Sequence, residues 1–288
     1  MTLAVSSVVH ALSFDVEDWY QGFVYRNIPG WENFASREKE NVERILDLLD
    51  EFKTQATFFV LGKFAESHPD VVRLISSRGH EVASHGYVHK PIPRFGREGF
   101  QEDLRRSLDV LEPIIGSKIS GYRAASWSLT RDCDWALDIL AEEGLKYDSS
   151  VFPTRLHKYG YPGARSYPHM ISLPSGKSIY EFPAQVLSLG PIRFPAAGGF
   201  YLRAFPLFAS TWALKQSDRK LQSGMVYLHP FDLDAAVPVL KTGPIYRIIR
   251  YYNLEKTESY LRRLLNEFSF SSLRRILTSL TETDKKNI

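Results

Sequence analysis

A single cysteine, Cys133, occurs in 288 residues, so no internal disulfide can form and stability must come from a packed core. Long apolar runs are missing too. No stretch approaches the roughly 18 apolar residues of a membrane-spanning helix. Neither sign of charge dominates: 36 Lys and Arg face 33 Asp and Glu, and no arginine-rich block precedes the C-terminal region. That balance gives no footprint for a nucleic-acid partner. The opening "MTLAVSSVVHALSFD" lacks a basic n-region and an apolar h-region. These absences predict a cytoplasmic, soluble protein without a nucleic-acid partner. What is abundant is core material: 44% of residues are hydrophobic and 13% aromatic, and the length suits one large domain or two small ones.

Strand-like and helix-like patterns alternate along the first half. "VVHALSFD", "ATFFVLG", "HEVASHG", "KISGYRAAS" and "LKYDSSVF" read as strands. Between them, "ENVERILDLLDEF" places Val42, Ile45, Leu46 and Leu49 at helical spacing. Alternation in units of about 30 residues predicts an α/β fold with a parallel sheet and crossover helices, open or closed into a barrel. Parallel strands present functional residues at their C-terminal ends. Asp15, His85, Arg123 and Asp148 all fall there.

Residues 153–205 break this rhythm with Pro, Gly and Tyr, and predict a rim insertion with a hairpin near "PSGKS". Its aromatic stretches "HKYGYPGARSYPHM" and "AAGGFYLR" suit stacking on sugar rings, although such loops are more often simply packed. A helix over "FPLFASTWALKQSDRK" and a strand at "GMVYLHPFDLD" follow. The expected division is a main domain over 1–235 and a helical extension over 236–288. Within the extension, "YLRRLLNEFSFSSLRRIL" reads first as a helix packed on the barrel and second as a peripheral membrane contact.

Three of the eight histidines lie in "HEVASHGYVHK". If the segment after His85 is helical, His85 and His89 share a face roughly 5–6 Å apart at Cβ, a spacing that suits one divalent ion. Two ligands do not make a metal site. "SFDVEDW" adds carboxylates: Asp15 and Glu17 share one face of a strand, so one can ligate while the other acts as a base. "VYLHPFD" puts His229 at another strand end, where an imidazole is a natural proton donor to a leaving amine. Arg123 in "GYRAAS" can hold a carboxylate bidentately, and Asp148 in "YDSS" can orient a histidine.

In this order, "SFDVEDW", "ATFFVLG", "HEVASHGYVH", "GYRAAS", "YDSSVFP" and "VYLHP" resemble the NodB-type polysaccharide deacetylases, carbohydrate esterase family 4. The resemblance runs from about residue 9 to 232. "FDVEDW" and "YYNLEKTESYLRRLLNEFSF" are similar to the branch associated with exopolysaccharide and exosortase loci. The resemblance implies a distorted (β/α) barrel of about seven parallel strands. It implies one divalent metal, often zinc, and hydrolysis of an N-acetyl group on a saccharide. By position it makes Asp15 the base, His85 and His89 metal ligands, Arg123 the partner of the base, His229 the general acid and Asp148 the residue that tunes the acid. The family has a second, metal-bound aspartate where Val16 stands here, which moves the carboxylate ligand to Glu17, with Asp18 the alternative. Ala125 stands where the family has proline, which is expected to loosen that loop. Another small-molecule amide, a silent carbohydrate-binding barrel and a glycosidase remain competing readings. The sequence leaves the native metal, the particular sugar and the oligomeric state open.

Overall fold

A computed structural model describes residues 8–21, 33–155, 160–196 and 198–286. Parts of the N-terminal reading (1–7) and of the two aromatic stretches (156–159 and 197) lie outside the described residues.

The first half builds β1 (Val9–Val16), α1 (Glu38–Glu51), β2 (Thr57–Val60), α2 (Gly62–Ser67), α3 (Pro69–Ser77) and β3 (Glu81–Ser84). It continues through α4 (Arg97–Ile115), β4 (Gly121–Tyr122), α5 (Trp135–Glu142) and β5 (Tyr147–Asp148). The hairpin β6 (His169–Ser172) and β7 (Ser178–Glu181) follows, then the separate hairpin β8 (Val186–Leu189) and β9 (Ile192–Pro195). After α6 (Gly199–Ala204) and α7 (Leu207–Asp218) the chain re-enters the sheet as β10 (Met225–Leu228). The last elements are α8 (Pro244–Tyr251), α9 (Thr257–Glu267), β11 (Ser269–Ser271) and α10 (Leu273–Lys286).

The sheet runs β10-β1-β2-β3-β4-β5-β7-β6, with β11 also paired to β1. Every neighbouring pair is parallel except the β6–β7 hairpin. The result is a curled, mostly parallel α/β half-barrel, and the seven strands from β10 to β7 form its parallel run. The "PSGKS" turn joins β6 to β7, with Leu173 N–H donating to the Lys177 carbonyl at 2.9 Å. Of the segment 153–205, β7 is therefore a strand of the main sheet, and the two hairpins are not one rim loop.

The pleat sorts side chains to two faces. Leu12, Phe14 and Val16 of β1, Phe58 and Val60 of β2, and Val226 and Leu228 of β10 pack outward under the helices. Ala11, Phe59, Ala83, Tyr147, Phe182, Met225 and Tyr227 face the lumen. Leu273, Ile276 and Leu277 of α10 join the lumen cluster from below. A polar knot fixes that plug. Glu81 is fully buried and accepts from Thr57 Oγ1 (2.6 Å), Tyr147 OH (2.9 Å) and the Arg274 N–H (2.9 Å). Thr57 Oγ1 in turn accepts from the Leu273 N–H at 2.9 Å. Two orphan donors at the start of α10 are thus satisfied by the floor of the barrel. With Leu261, Leu264 and Leu265 also buried, the stretch "YLRRLLNEFSFSSLRRIL" is packed on the barrel.

His80 sits just before β3, 4% exposed, edge-on to Phe58 and accepting the Ala56 N–H through Nδ1 at 3.2 Å. Burial lowers its pKa from 6.5 to about 4. The folded value lies below the unfolded one, so this contribution to stability is complete above pH 6.5 and is lost as pH falls through about 4. We expect the denaturation midpoint of the wild type to decline across that window. His80→Asn, whose amide oxygen can accept the same N–H, should decline less. Identical pH profiles for the two proteins would remove His80 from the account.

Candidate active site

The lumen face of the sheet carries the polar residues at its upper end. Ser13 and Asp15 share the phase of Ala11 on β1. Arg123 follows Gly121 on β4, His85 follows Ala83 on β3, and His229 follows Tyr227 on β10. A period of two and a parallel sheet are enough to bring all of them to one end.

Arg123 is fully buried and is the hub. Its Nη1 donates to Asp15 Oδ1 at 2.6 Å and to Ser13 Oγ at 2.9 Å. Nε donates to the Ser149 carbonyl at 3.0 Å, and Nη2 to Ser149 Oγ and to Met225 Sδ, both at 2.9 Å. The guanidinium lies 4.0 Å from the Phe59 ring centroid and 4.7 Å from that of Trp127. Trp127 belongs to the turn expected to loosen at Ala125. Instead it is buried, packed on Phe152 and Tyr227, with Ser126 and Trp127 both in the left-handed region at φ of 58° and 53°. Ser150 Oγ accepts the Ala124 N–H at 2.8 Å and holds the start of that turn.

Glu17, His85 and His89 are buried and place one ligand atom each within 4.8 Å of one another. His85 Nδ1 donates to the Arg123 carbonyl at 2.8 Å, which leaves Nε2 unprotonated and turned to the other two. Glu17 Oε2 lies 2.7 Å from His89 Nε2. Two imidazoles and a carboxylate, buried with their ligand atoms in mutual reach, are a donor set that fits a divalent metal. Burial alone would raise the pKa of Glu17, but His89, with help from His229 and His85, holds it at about 2. Asp18 is turned elsewhere, accepting from Ser36 Oγ at 2.6 Å and Tyr20 OH at 3.1 Å, so Glu17 is the carboxylate of the cluster.

The segment after His85 is not a helix, and this corrects the spacing argument. Gly86 has φ +80°, and a Cβ there would meet Asp103 Oδ2 at 2.8 Å. Asp103 reaches in from α4 and accepts the N–H groups of Tyr87 (2.8 Å) and Val88 (3.1 Å). This bent loop brings the His85 and His89 rings to 5.6 Å between centroids. Nothing local in "SHGYVH" points to Asp103, because it lies on another element.

His229 is the member of the site most open to solvent, with its side chain 22% exposed. Its Nε2 is 3.4 Å from Glu17 Oε1, and its Nδ1 is hydrogen-bonded to Asp232 Oδ2 at 3.0 Å. The ring stacks on Phe231 at 4.6 Å. Burial by itself lowers the pKa of His229, but the Asp232 carboxylate, aided by Glu17 and Asp15, brings the net value above the usual one. Asp232 is itself bound by Arg203 Nη1 at 2.6 Å, and Arg203 Nη2 donates to the Ile249 carbonyl at the end of α8 at 2.8 Å.

The residue placed beside His229 by resemblance, Asp148, is not there. It follows Tyr147, whose ring is in the lumen, so the pleat turns Asp148 to the outer face. Its carboxylate accepts from Ser150 N–H (3.0 Å) and Ser150 Oγ (2.6 Å) and lies against Glu181. The carboxylate on the candidate acid is Asp232, three residues along in "HPFD". That signal was legible: a histidine before proline with an aspartate at the third following position forms a reciprocal cap.

Residues 11–147 match the family model described as polysaccharide deacetylase, and residues 149–278 match one described as a domain of unknown function (DUF3473). The polysaccharide deacetylase match covers just under half of the chain. It is 30% identical over 112 residues to a peptidoglycan deacetylase of Helicobacter pylori, covering 38% of this chain and 36% of that one. It is 35% identical over 68 residues to a chitooligosaccharide deacetylase of Rhizobium leguminosarum bv. trifolii, covering 24% and 32%. The chain thus spans about a third of the length of these curated relatives. A crystal structure of a putative polysaccharide deacetylase from Mycobacterium smegmatis shares the fold, with TM-score 0.66 and 20% identity over 99% of this chain and 94% of that one.

The loop held by Asp103 generates a test. Asp103→Ala should weaken the binding of added zinc roughly 10- to 100-fold, although Asp103 touches none of Glu17, His85 and His89. Titration calorimetry reads this directly. Unchanged affinity would mean that the loop holds its own shape.

Proposed function

We propose that the protein is a metal-dependent hydrolase that removes N-acetyl groups from an amino sugar, in a polysaccharide or its lipid-linked precursor. The observation that carries the reading is one juxtaposition. A carboxylate clamped by a buried arginine (Asp15–Arg123), a carboxylate–histidine–histidine cluster (Glu17, His85, His89) and a histidine backed by a carboxylate (His229–Asp232) meet at one end of the sheet. The names of the two curated relatives support an N-acetylated saccharide as substrate. The exopolysaccharide-associated branch is proposed from "FDVEDW" at β1 together with "YYNLEKTESYLRRLLNEFSF".

Glu17, His85 and His89 would hold the divalent ion, with zinc favoured by two imidazoles and one carboxylate; when bound, it would polarise the acetamide carbonyl and acidify a water. Asp15 removes a proton from the attacking water, and the two hydrogen bonds from Arg123 Nη1 to Asp15 and Ser13 fix where its oxygen points. The water oxygen bonds to the carbonyl carbon and the C–N bond breaks. His229 gives a proton to the departing nitrogen, with its ring orientation set by Asp232 and Phe231. The products are acetate and a free amino sugar.

Acetate release from N-acetylglucosamine oligosaccharides, with zinc-loaded protein, tests the assignment. Asp15→Asn should lower kcat by about 10²–10⁴-fold while leaving metal content unchanged. His85→Ala should lose both metal and activity. An Asp15→Asn protein with wild-type turnover would overturn the role of Asp15. Wild-type protein that binds no metal would overturn the mechanism as a whole.

A further inference from the structure

Helix α8 shows its apolar side to water. In α8, Ile245, Ile248 and Ile249, continued by Tyr252, fall at i, i+3, i+4 and i+7 on one face. They are 70%, 55%, 42% and 48% exposed, and Val239 just upstream is 63% exposed. A surface helix of a globular protein normally turns such a stripe to the core. Here the inner side is held by other means. Tyr251 OH accepts the Leu240 N–H at 3.1 Å and donates to the Pro238 carbonyl at 3.0 Å. The Arg250 guanidinium lies 3.5 Å from the Phe231 ring centroid, and Arg203 holds the Ile249 carbonyl. The stripe therefore faces outward because polar and aromatic anchors fix the helix that way, and not for want of a fixed position.

Charge says what it suits. From Ala235 to Leu254 the chain holds Lys241, Arg247 and Arg250 and no carboxylate. Lys241 and Arg247 are exposed. A second copy of the chain on a two-fold axis would bring these cations against their own kind across the contact. An anionic bilayer offers the opposite charge and an apolar layer below its headgroups. We propose that the α8 face is a docking surface for an anionic lipid bilayer, with Ile245, Ile248 and Tyr252 inserted at the headgroup boundary. Seated so, α8 stays tied to the site, because Arg203 bridges its last turn to Asp232. The proposal stands on this surface and not on the reaction.

Co-sedimentation of the full chain with vesicles tests it. One set is pure phosphatidylcholine and the other one-third phosphatidylglycerol. The wild type should pellet with the anionic set and much less with the neutral set. The double variant Ile245→Glu, Ile248→Glu should lose at least about tenfold in bound-to-free ratio, with an unchanged melting temperature. Its acetate release from a soluble oligosaccharide should match the wild type, which keeps a failed docking distinct from a failed reaction assignment. No pelleting of the wild type, equal pelleting of the double variant, or equal pelleting with both vesicle sets would overturn the proposal. So would a concentration-dependent dimer that the double variant dissolves, since that would assign the stripe to a second copy.

Discussion

A guanidinium shut off from water organises the molecule. Arg123 projects into the lumen and binds Asp15 and Ser13 of β1, Ser149 after β5 and Met225 of β10, while lying over Phe59 of β2. Such a charge is tolerated only when its hydrogen bonds are satisfied and a counter-charge is close. Removing one partner of a buried pair costs about 3–5 kcal/mol, because the other is left uncompensated. The strands that meet at Arg123 are therefore tied to one another by the same bonds that aim Asp15. The carbonyl of Arg123 also accepts from His85, so the cluster of ligands is registered to the same residue. Fold and site share a single anchor.

The strands were legible because a parallel sheet writes two signals into sequence, short β-branched or aromatic runs and a functional residue at each C-terminal end. Asp15, His85, Arg123 and His229 follow from those signals. Asp148 shows where they stop. Being at a strand end says nothing about which face a side chain takes, and the phase is set by Tyr147 filling the lumen one residue earlier. The His85–His89 spacing likewise suited a helix, but Gly86 in the left-handed region and two hydrogen bonds accepted by Asp103 produce a bend that serves the same convergence. Asp103 and Arg203 were invisible because each acts from an element far along the chain. Asp232 was in plain view in "HPFD" and lost to a resemblance that pointed to Asp148.

The C-terminal portion is bound into the barrel at three levels. β11 adds a strand beside the start of β1, α10 caps the lumen, and Glu81 with Thr57 takes up the first N–H groups of that helix. Glu81 carries a raised pKa from burial, and its hydroxyl and N–H partners compensate part of that penalty. A charged residue in the barrel floor thus exists to terminate a helix. Among the described residues no helix is long and apolar enough to cross a membrane.

The two ends of the barrel obey opposite rules. At the floor Glu81, Thr57 and Tyr147 are hydrogen-bonded, and the apolar side chains of α10 fill the lumen. At the upper end the buried Glu17 carboxylate lies 2.7 Å from His89 and 3.4 Å from His229, and His229 keeps a fifth of its side chain in solvent. A buried carboxylate is costly unless positive charge or a metal offsets it. An open imidazole beside it is of use only if something outside is to receive its proton. The same sheet supports both because its strands all run one way. Strand starts and the apolar plug of α10 collect at one end, and strand ends with their reactive side chains collect at the other. The path from His229 through Asp232 and Arg203 to the last turn of α8 then gives the open end a direct structural link to an exposed apolar helix face.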